Sequence, residues 1–157
     1  MAQPDATGKI LIEAAPETVY ELVSDPAKLA GVASEYQGHR WVGEVAQPTV
    51  GAKFRGRNRR GFRRWSTLST ITDAIPGRRF GFDVTSLGLP VARWQYDFEP
   101  SGDGCVVIES MWERRPGWFK VPSSTVTGVW NRAQANTTNI ADTLARLKSA
   151  AESSVSS

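Results

Sequence analysis

Six short segments between His39 and Glu113 alternate in polarity or are rich in β-formers, and this constrains the fold more than any other feature. They cover approximately 39–45, 52–58, 64–73, 78–85, 92–99 and 105–113. The breaks between them are short and contain the turn residues Gly and Pro. Because such breaks join neighbouring antiparallel strands, the sequence predicts a six-stranded meander.

Alternation within these segments predicts a sheet with one apolar face and one wet face. In the segment 92–99, Trp94, Tyr96 and Phe98 alternate with polar residues. The same alternation places further side chains on the apolar face: Phe54, Asn58, Phe82, Val106, Ile108, Ser110 and Trp112, with Trp65 and Trp41 as further candidates. It places Asp97 and Glu109 on the wet face.

The segments outside the meander predict one more strand and three helices. Lys9–Glu13 is short and β-rich, and Pro16 then fits the first turn of a helix that ends at Asp25-Pro26. A second short helix is predicted over 27–33. Near the C-terminus a long apolar stripe has helical spacing: Val126, Val129, Trp130, Ala133, Thr137, Ile140, Ala141, Leu144 and Leu147.

A long amphipathic helix after a one-sided sheet is expected to cover that sheet. The predicted fold class is therefore α+β, with a curved antiparallel sheet of about seven strands against the C-terminal helix. The chain has 157 residues, which predicts a single domain over 8–150, with flexible termini at 1–7 and 151–157.

Composition narrows the class of protein without naming a reaction. One cysteine, Cys105, and one histidine, His39, predict neither an internal disulfide nor a zinc site. No signal peptide or membrane-spanning run is recognised, so we expect a cytoplasmic protein. No nucleotide or phosphate fingerprint occurs either, and no cofactor is expected.

A basic stretch offers an alternative function. Seven of the nineteen Lys and Arg residues lie between Lys53 and Arg64, where no acidic residue occurs. Such a stretch is typical of a solvated strand face with a charged hairpin tip. It would also suit a surface that binds an anionic ligand, an anionic membrane or, less favoured, nucleic acid.

Three stretches resemble a known family. They are Ile12–Pro26 (IEAAPETVYELVSDP), Val50–Phe54 (VGAKF) and Ile75–Phe80 (IPGRRF). With the order of predicted elements, they resemble the START/Bet v 1-like helix-grip (SRPBCC) superfamily, and most closely its bacterial polyketide cyclase/dehydrase-type branch. The resemblance covers Gly8 to Lys148. It implies a cavity between the curved sheet and the long helix that holds a hydrophobic small molecule.

Such a cavity would be lined by the inward-facing side chains. The candidate ligand-binding residues are Trp41, Phe54, Asn58, Trp65, Phe82, Trp94, Tyr96, Phe98, Ile108, Ser110, Trp112, Trp130 and Thr137. A set rich in aromatic rings suits a flat aromatic or lipid-like ligand, although large rings also simply fill curved sheets. Turns that share one end of the meander predict a cavity mouth there, with an apolar lid formed by Leu87, Leu89, Trp118 and Phe119 and a basic rim formed by arginines of the same turns.

Catalysis finds little support in the sequence. His39 has the right chemistry for a general base, and Tyr96 could supply a proton if both face inward, but a surface histidine explains the same position. We therefore expect a monomeric or homodimeric carrier of a hydrophobic molecule, or a cofactor-free cyclase/dehydratase-like protein. The alternative is a surface-binding module that uses residues 53–64.

Overall fold

The computed structural model describes residues 3–25, 28, 36–41, 49–60, 63–86, 88–114 and 132–156; within these, only the backbone is described at 36–41, 56–60, 63–66, 132–136 and 154–156. The strands are β1 (Ala6–Ile12), β2 (Tyr36–Trp41), β3 (Lys53–Arg60), β4 (Arg63–Ile75), β5 (Arg79–Ser86), β6 (Leu89–Ser101) and β7 (Gly104–Glu113). The helices are α1 (Pro16–Ser24) and α2 (Arg132–Ser156).

The strands form one seven-stranded antiparallel sheet in the order β1-β7-β6-β5-β4-β3-β2. Strands β2 to β7 are a meander, and β1 forms one edge of the sheet by pairing with β7. The predicted α+β class and the predicted six-stranded meander are confirmed, whereas the position of β1 beside β7 was not predicted. The second short helix predicted at 27–33 lies, apart from Lys28, outside the described residues. Neither helix in the described ranges combines the length and apolarity that crossing a membrane requires.

Regular structure extends closer to both chain termini than the sequence predicts. Strand β1 begins at Ala6, which is buried, and α2 continues to Ser156 with Ala151 buried. The segment after residue 150 had suggested fraying because it is small and polar. It stays helical because Ala151 extends the buried line of Ile140, Leu144 and Leu147, and because Glu152 accepts hydrogen bonds from Lys148 and from the Glu13 backbone.

The phase of β7, meaning which of its alternate residues face the interior, differs from the prediction. The buried line on its inner face consists of Cys105, Val107, Glu109 and Met111, whereas Val106, Ile108, Ser110 and Trp112 were predicted to face inward. Apolar residues occur at both the odd and the even positions of the run Cys-Val-Val-Ile-Glu-Ser-Met-Trp. Alternation alone therefore cannot show which set faces the interior. Pairing decides it, because Glu109 lies opposite Tyr96 and therefore shares its face.

Helix α2 buries a narrower face than its sequence predicts. Ile140, Leu144 and Leu147 are buried as expected, but Thr137 and Ala141 are exposed. In the described part of the chain α2 packs chiefly on the single strand β1, with fewer contacts to α1 and β7. A helix that lies along one strand buries a thin line of side chains, so residues at the border of the predicted stripe remain in solvent.

The apolar core continues from β1 across the inner face of the sheet. Tyr20 of α1 packs edge-on against Phe80 and Phe98, with ring centroids 6.1 and 5.8 Å away. Phe82 contacts both Phe80 and Phe54 in tilted or edge geometry. Aromatic packing therefore joins β3, β5, β6 and α1.

The outer face of the sheet carries an ion-pair network around Arg93. Its guanidinium lies 2.6 Å from Asp73 and 3.4 Å from Asp83, and it also donates to Thr72 and Gln95. Gly81 leaves room for this arrangement, because a Cβ there would come within 2.9 Å of the Asp73 carboxylate. The predicted wet face is thus a set of mutually paired side chains that links β4, β5 and β6.

Gly8 sets how closely α2 approaches the sheet. A Cβ at this position would lie 2.8 Å from Cγ2 of Ile140 and 3.4 Å from Cδ1 of Leu144. Any side chain at residue 8 would therefore push the helix away from β1.

We expect Gly8→Ala to lower the free energy of unfolding by about 1–3 kcal/mol, the usual cost of overpacking a close contact. Urea denaturation checks this. In an Ile140→Ala background the same substitution should cost less, because the clashing methyl group is gone. Equal costs in the two backgrounds would contradict the proposed contact.

Candidate functional site

A carboxyl group is buried on the apolar inner face of the sheet. Glu109 is only 2% exposed, and its neighbours along the inner face of β7 are Val107 and Met111. A carboxyl in such surroundings is costly unless it is paired or neutral. Its presence there therefore requires a chemical explanation.

Tyr96 supplies one partner for this carboxyl. Its hydroxyl, on a residue 3% exposed, donates to Oε1 of Glu109 over 2.7 Å. The second oxygen, Oε2, is also buried, and it has no hydrogen-bond partner among the residues that the structure describes. One half of the carboxyl is thus fixed by a phenol, while the other half is left without a described protein contact.

Strand register places this pair in a row that crosses the sheet. We call the set Gly8, Glu109, Tyr96 and Phe80 the central row, because these residues are direct cross-strand partners on β1, β7, β6 and β5. Ile140 of α2 lies over Gly8 at one end, and Tyr20 of α1 packs on Phe80 at the other. The carboxyl and phenol lie between these two helix contacts.

Burial changes the protonation of both groups. Desolvation raises the pKa of Glu109 to about 8, although the hydrogen bond from Tyr96 lowers it in part. The pKa of Tyr96 lies well above its usual value because of desolvation, then the Glu109 charge, then the hydrogen bond to Glu109. At neutral pH Glu109 is therefore mostly a neutral acid. Since Oε1 accepts from Tyr96, Oε2 is the oxygen that a proton on this carboxyl would occupy, and it would then be a buried donor.

Several predicted ligand-binding residues lie on the same inner face. Phe54, Tyr96 and Phe98 are buried there, and Phe82 and Trp94 are cross-strand partners that pack with them. Their contact with a ligand stays a prediction. Leu89, predicted at the cavity mouth, is half-buried at the start of β6.

Four other candidates do not lie where the sequence analysis put them. Ile108, Ser110 and Trp112 are on the outer face, because the phase of β7 is reversed. Ser110 lies 3.3 Å from the hydroxyl of Thr7 on that face. Thr137 is exposed on α2.

The backbone register locates a further group of candidates. Trp41 pairs with Phe54, His39 pairs with Gly56, and Asn58 pairs with Trp65. Strands β3, β4 and β5 lie between β2 and β6 in the sheet. Strand pairing therefore does not bring His39 next to Tyr96, as their predicted joint role would require. Leu87, Trp118, Phe119 and Trp130 lie outside the described residues.

Sequence reasoning missed Glu109, which it had placed on the wet face. The signal that could have found it is a lone acid within a run that is apolar at both parities. The run allows either phase, and only one of them buries the acid. Asp97, placed on the wet face by the same reasoning, is indeed there, 2.7 Å from Arg79.

Most of the chain matches a known protein family. A family described as polyketide cyclase/dehydrase and lipid transport matches residues 3–152. The chain belongs to this family. Structures of the same Bet v 1-like, SRPBCC fold resemble it along nearly its full length, so the polyketide cyclase/dehydrase resemblance seen in the sequence is confirmed.

Three solved structures illustrate the similarity of this family member to known proteins. The Polyketide_cyc-like protein Cgl2372 from Corynebacterium glutamicum is 30% identical, with a TM-score of 0.64 and coverage of 99% of this chain and 96% of that one. The di-domain ARO/CYC protein StfQ from the steffimycin biosynthetic pathway has a TM-score of 0.75 at 14% identity, covering 96% of this chain and 51% of StfQ. The protein TTHA0849 from Thermus thermophilus has a TM-score of 0.65 at 18% identity, covering 95% of this chain and 97% of that one. No curated protein matches the chain.

The buried carboxyl should make stability depend on pH. Glu109 ionises near its ordinary pKa of 4.5 in the unfolded chain and at about 8 in the folded one, so the folded state binds one more proton between these values. Stability should therefore fall as pH rises through this window, by about 1.4 kcal/mol per pH unit, and level off above it. Urea denaturation of the natural chain against Glu109→Gln isolates this contribution.

Tyr96→Phe serves as the companion variant. It removes the hydrogen bond that lowers the pKa of Glu109, so the upper end of the pH window should move upward. A stability difference between the natural chain and Glu109→Gln that does not vary with pH would show that Glu109 is not protonated in the folded state.

Proposed function

We propose that this member of the polyketide cyclase/dehydrase family binds a hydrophobic small molecule between the inner face of the sheet and α2. It would act as a carrier or as a cofactor-free cyclase/dehydratase-like protein. The free thiol of Cys105 suits the reducing cytoplasm, where we place this activity. The family supports the general class of ligand, and the buried polar pair on the inner face supports the location of the site.

One observation carries the proposal. Oε2 of Glu109 is a buried polar atom without a partner in the described part of the chain, on a face formed mainly by apolar side chains. Buried polar atoms are nearly always hydrogen-bonded in folded proteins. A few convergent polar groups on an apolar wall are also typical of small-molecule sites. A ligand that reaches Glu109 would supply the missing partner.

The same pair bears on the choice between carrier and enzyme. A neutral carboxylic acid beside a phenol can hold a carbonyl oxygen or donate a proton to it, which are the roles of a hydrogen-bond anchor and of a general acid. Cyclisation or dehydration also needs a base for a carbon-bound proton. Binding with orientation needs only the anchor, so we place binding first.

Trp94 should report the ligand. It packs against the core from the inner face, whereas Trp112 lies on the outer face. We expect pyrene, a neutral polycyclic molecule that accepts energy from tryptophan, to quench the intrinsic fluorescence on binding. Trp94→Phe should remove far more of this quenching than the matched variant Trp112→Phe. Equal losses from the two variants would contradict a site on the inner face.

A second candidate function rests on the β3–β4 hairpin. Cross-strand pairing joins Arg59 to Arg64 and Arg60 to Arg63, and Lys53 and Arg55 of β3 are exposed. Like charges directly opposite one another are unfavourable in a sheet. Their concentration at one hairpin favours an anionic partner such as an acidic lipid surface or nucleic acid.

Charge reversal tests this second function. If the hairpin binds an anionic surface, replacing Arg59 and Arg64 by Glu should weaken sedimentation with phosphatidylserine vesicles at low salt by about tenfold or more. High salt should weaken the natural chain similarly. Pyrene binding should be unaffected by either change. Unchanged association with vesicles in both experiments would remove this candidate, and a DNA duplex provides the parallel test for nucleic acid.

A further inference from the structure

Building on the proposed function, we propose that Glu109 and Tyr96 select the ligand class: a neutral apolar molecule with a hydrogen-bond-accepting oxygen, such as a ring ketone, in preference to a carboxylate of the same shape. The inference concerns the same site and adds the chemistry of its specificity. It follows from geometry, from the charges around the pair and from its protonation.

The geometry of the pair leaves one oxygen of the Glu109 carboxyl for a ligand. The Tyr96 hydroxyl donates to Oε1 of Glu109, and Oε2 is the carboxyl oxygen that has no hydrogen-bond partner among the described residues. Both residues lie on central strands, and the Thr7 hydroxyl donates to the Glu109 backbone carbonyl over 3.1 Å from the other face. The backbone of Glu109 and its Tyr96 partner are therefore held by the sheet before any ligand binds.

Among the described residues, none of the side chains that face the pair carries a positive charge. Facing Glu109 within the described residues are Gly8 of β1, Tyr96 with Trp94 and Phe98 of β6, and Val107 and Met111 of β7. Above Gly8, α2 contributes Ile140 and Leu144. A carboxylate ligand placed here would be desolvated without a cation beside it, which is strongly unfavourable.

The nearest titratable and charged side chains are directed elsewhere. Cys105 lies further along β7, and Tyr20 of α1 packs on Phe80 and Phe98. Lys148 of α2 donates to the Leu11 carbonyl and to Glu152. Asp142 and Arg146 of α2 and Lys9 of β1 are exposed.

The protonation state of Glu109 makes the preference for a ketone depend on pH. Burial raises the pKa of Glu109 to about 8, so at lower pH Oε2 is a donor that matches a ketone oxygen. Above this value both oxygens are acceptors and the residue is an anion. A ketone then loses its donor, and an anionic ligand gains a repelling neighbour.

Three ring compounds of closely matched shape test the inference. Affinities of 9-fluorenone, fluorene and fluorene-9-carboxylate are measured by competition against pyrene at about pH 6 and about pH 9.5, on either side of the Glu109 titration. At the lower pH we expect fluorenone to bind about 5- to 100-fold more tightly than fluorene, as one satisfied buried donor allows. Fluorene-9-carboxylate should bind most weakly. At the higher pH the preference for fluorenone should disappear.

Two variants separate hydrogen bonding from shape. Glu109→Gln keeps an acceptor for Tyr96 and a neutral donor in place of Oε2, so it should retain the ketone preference at both pH values. Glu109→Leu has no donor and should bind fluorenone and fluorene alike at both. Thermal melting and binding of fluorene itself verify that each variant is folded with an intact site.

The outcomes distinguish this inference from the function on which it rests. Equal affinity of the natural chain for fluorenone and fluorene, or a ketone preference that survives in Glu109→Leu, would overturn the selectivity while leaving hydrophobic binding intact. Failure of pyrene and all three fluorene compounds to bind the folded chain would instead overturn the proposed function.

Discussion

The pairing of β7 between β1 and β6 is the constraint on which the rest of the structure depends. It aligns Gly8, Glu109 and Tyr96 in one row across the sheet, so that close helix packing, a buried acid and its phenol partner become neighbours. A shift of β7 by one residue would turn Glu109 out to solvent and bring Ser110 inward. The central row is therefore a consequence of register as much as of residue type.

The two faces of the sheet accommodate ionisable side chains differently. On the outer face, Arg93 lies among Asp73, Asp83, Thr72 and Gln95, and its charge is shared by several partners. On the inner face, Glu109 has one phenol and no described cation, so it avoids burying charge by retaining its proton. The first arrangement ties strands together. Each leaves one buried polar atom without a partner among the described residues, Nε of Arg93 and Oε2 of Glu109, but only the second lies on the inner face where we propose that a ligand binds.

Family and fold explain less of the function than this local chemistry does. The chain shares its fold with StfQ at 14% identity, so the sheet and long helix tolerate almost complete replacement of the side chains. In the function proposed above, recognition depends instead on polar groups that the scaffold buries, and the ones proposed to contact the ligand are the Glu109 carboxyl and the Tyr96 hydroxyl.

The sequence by itself determined the order of the six meander strands, the helix after Pro16 and the apolar line through Ile140, Leu144 and Leu147, because period and turn residues are local properties. It also indicated the inward position of Tyr96, whose strand alternates cleanly. The phase of β7 was open, since its run is apolar at both parities, and only pairing with β6 resolved it. The extent of α2 and the exposure of Thr137 likewise depended on which strand the helix packs against. The protonation of Glu109 followed last, because desolvation belongs to the assembled interior and to no single segment of the chain.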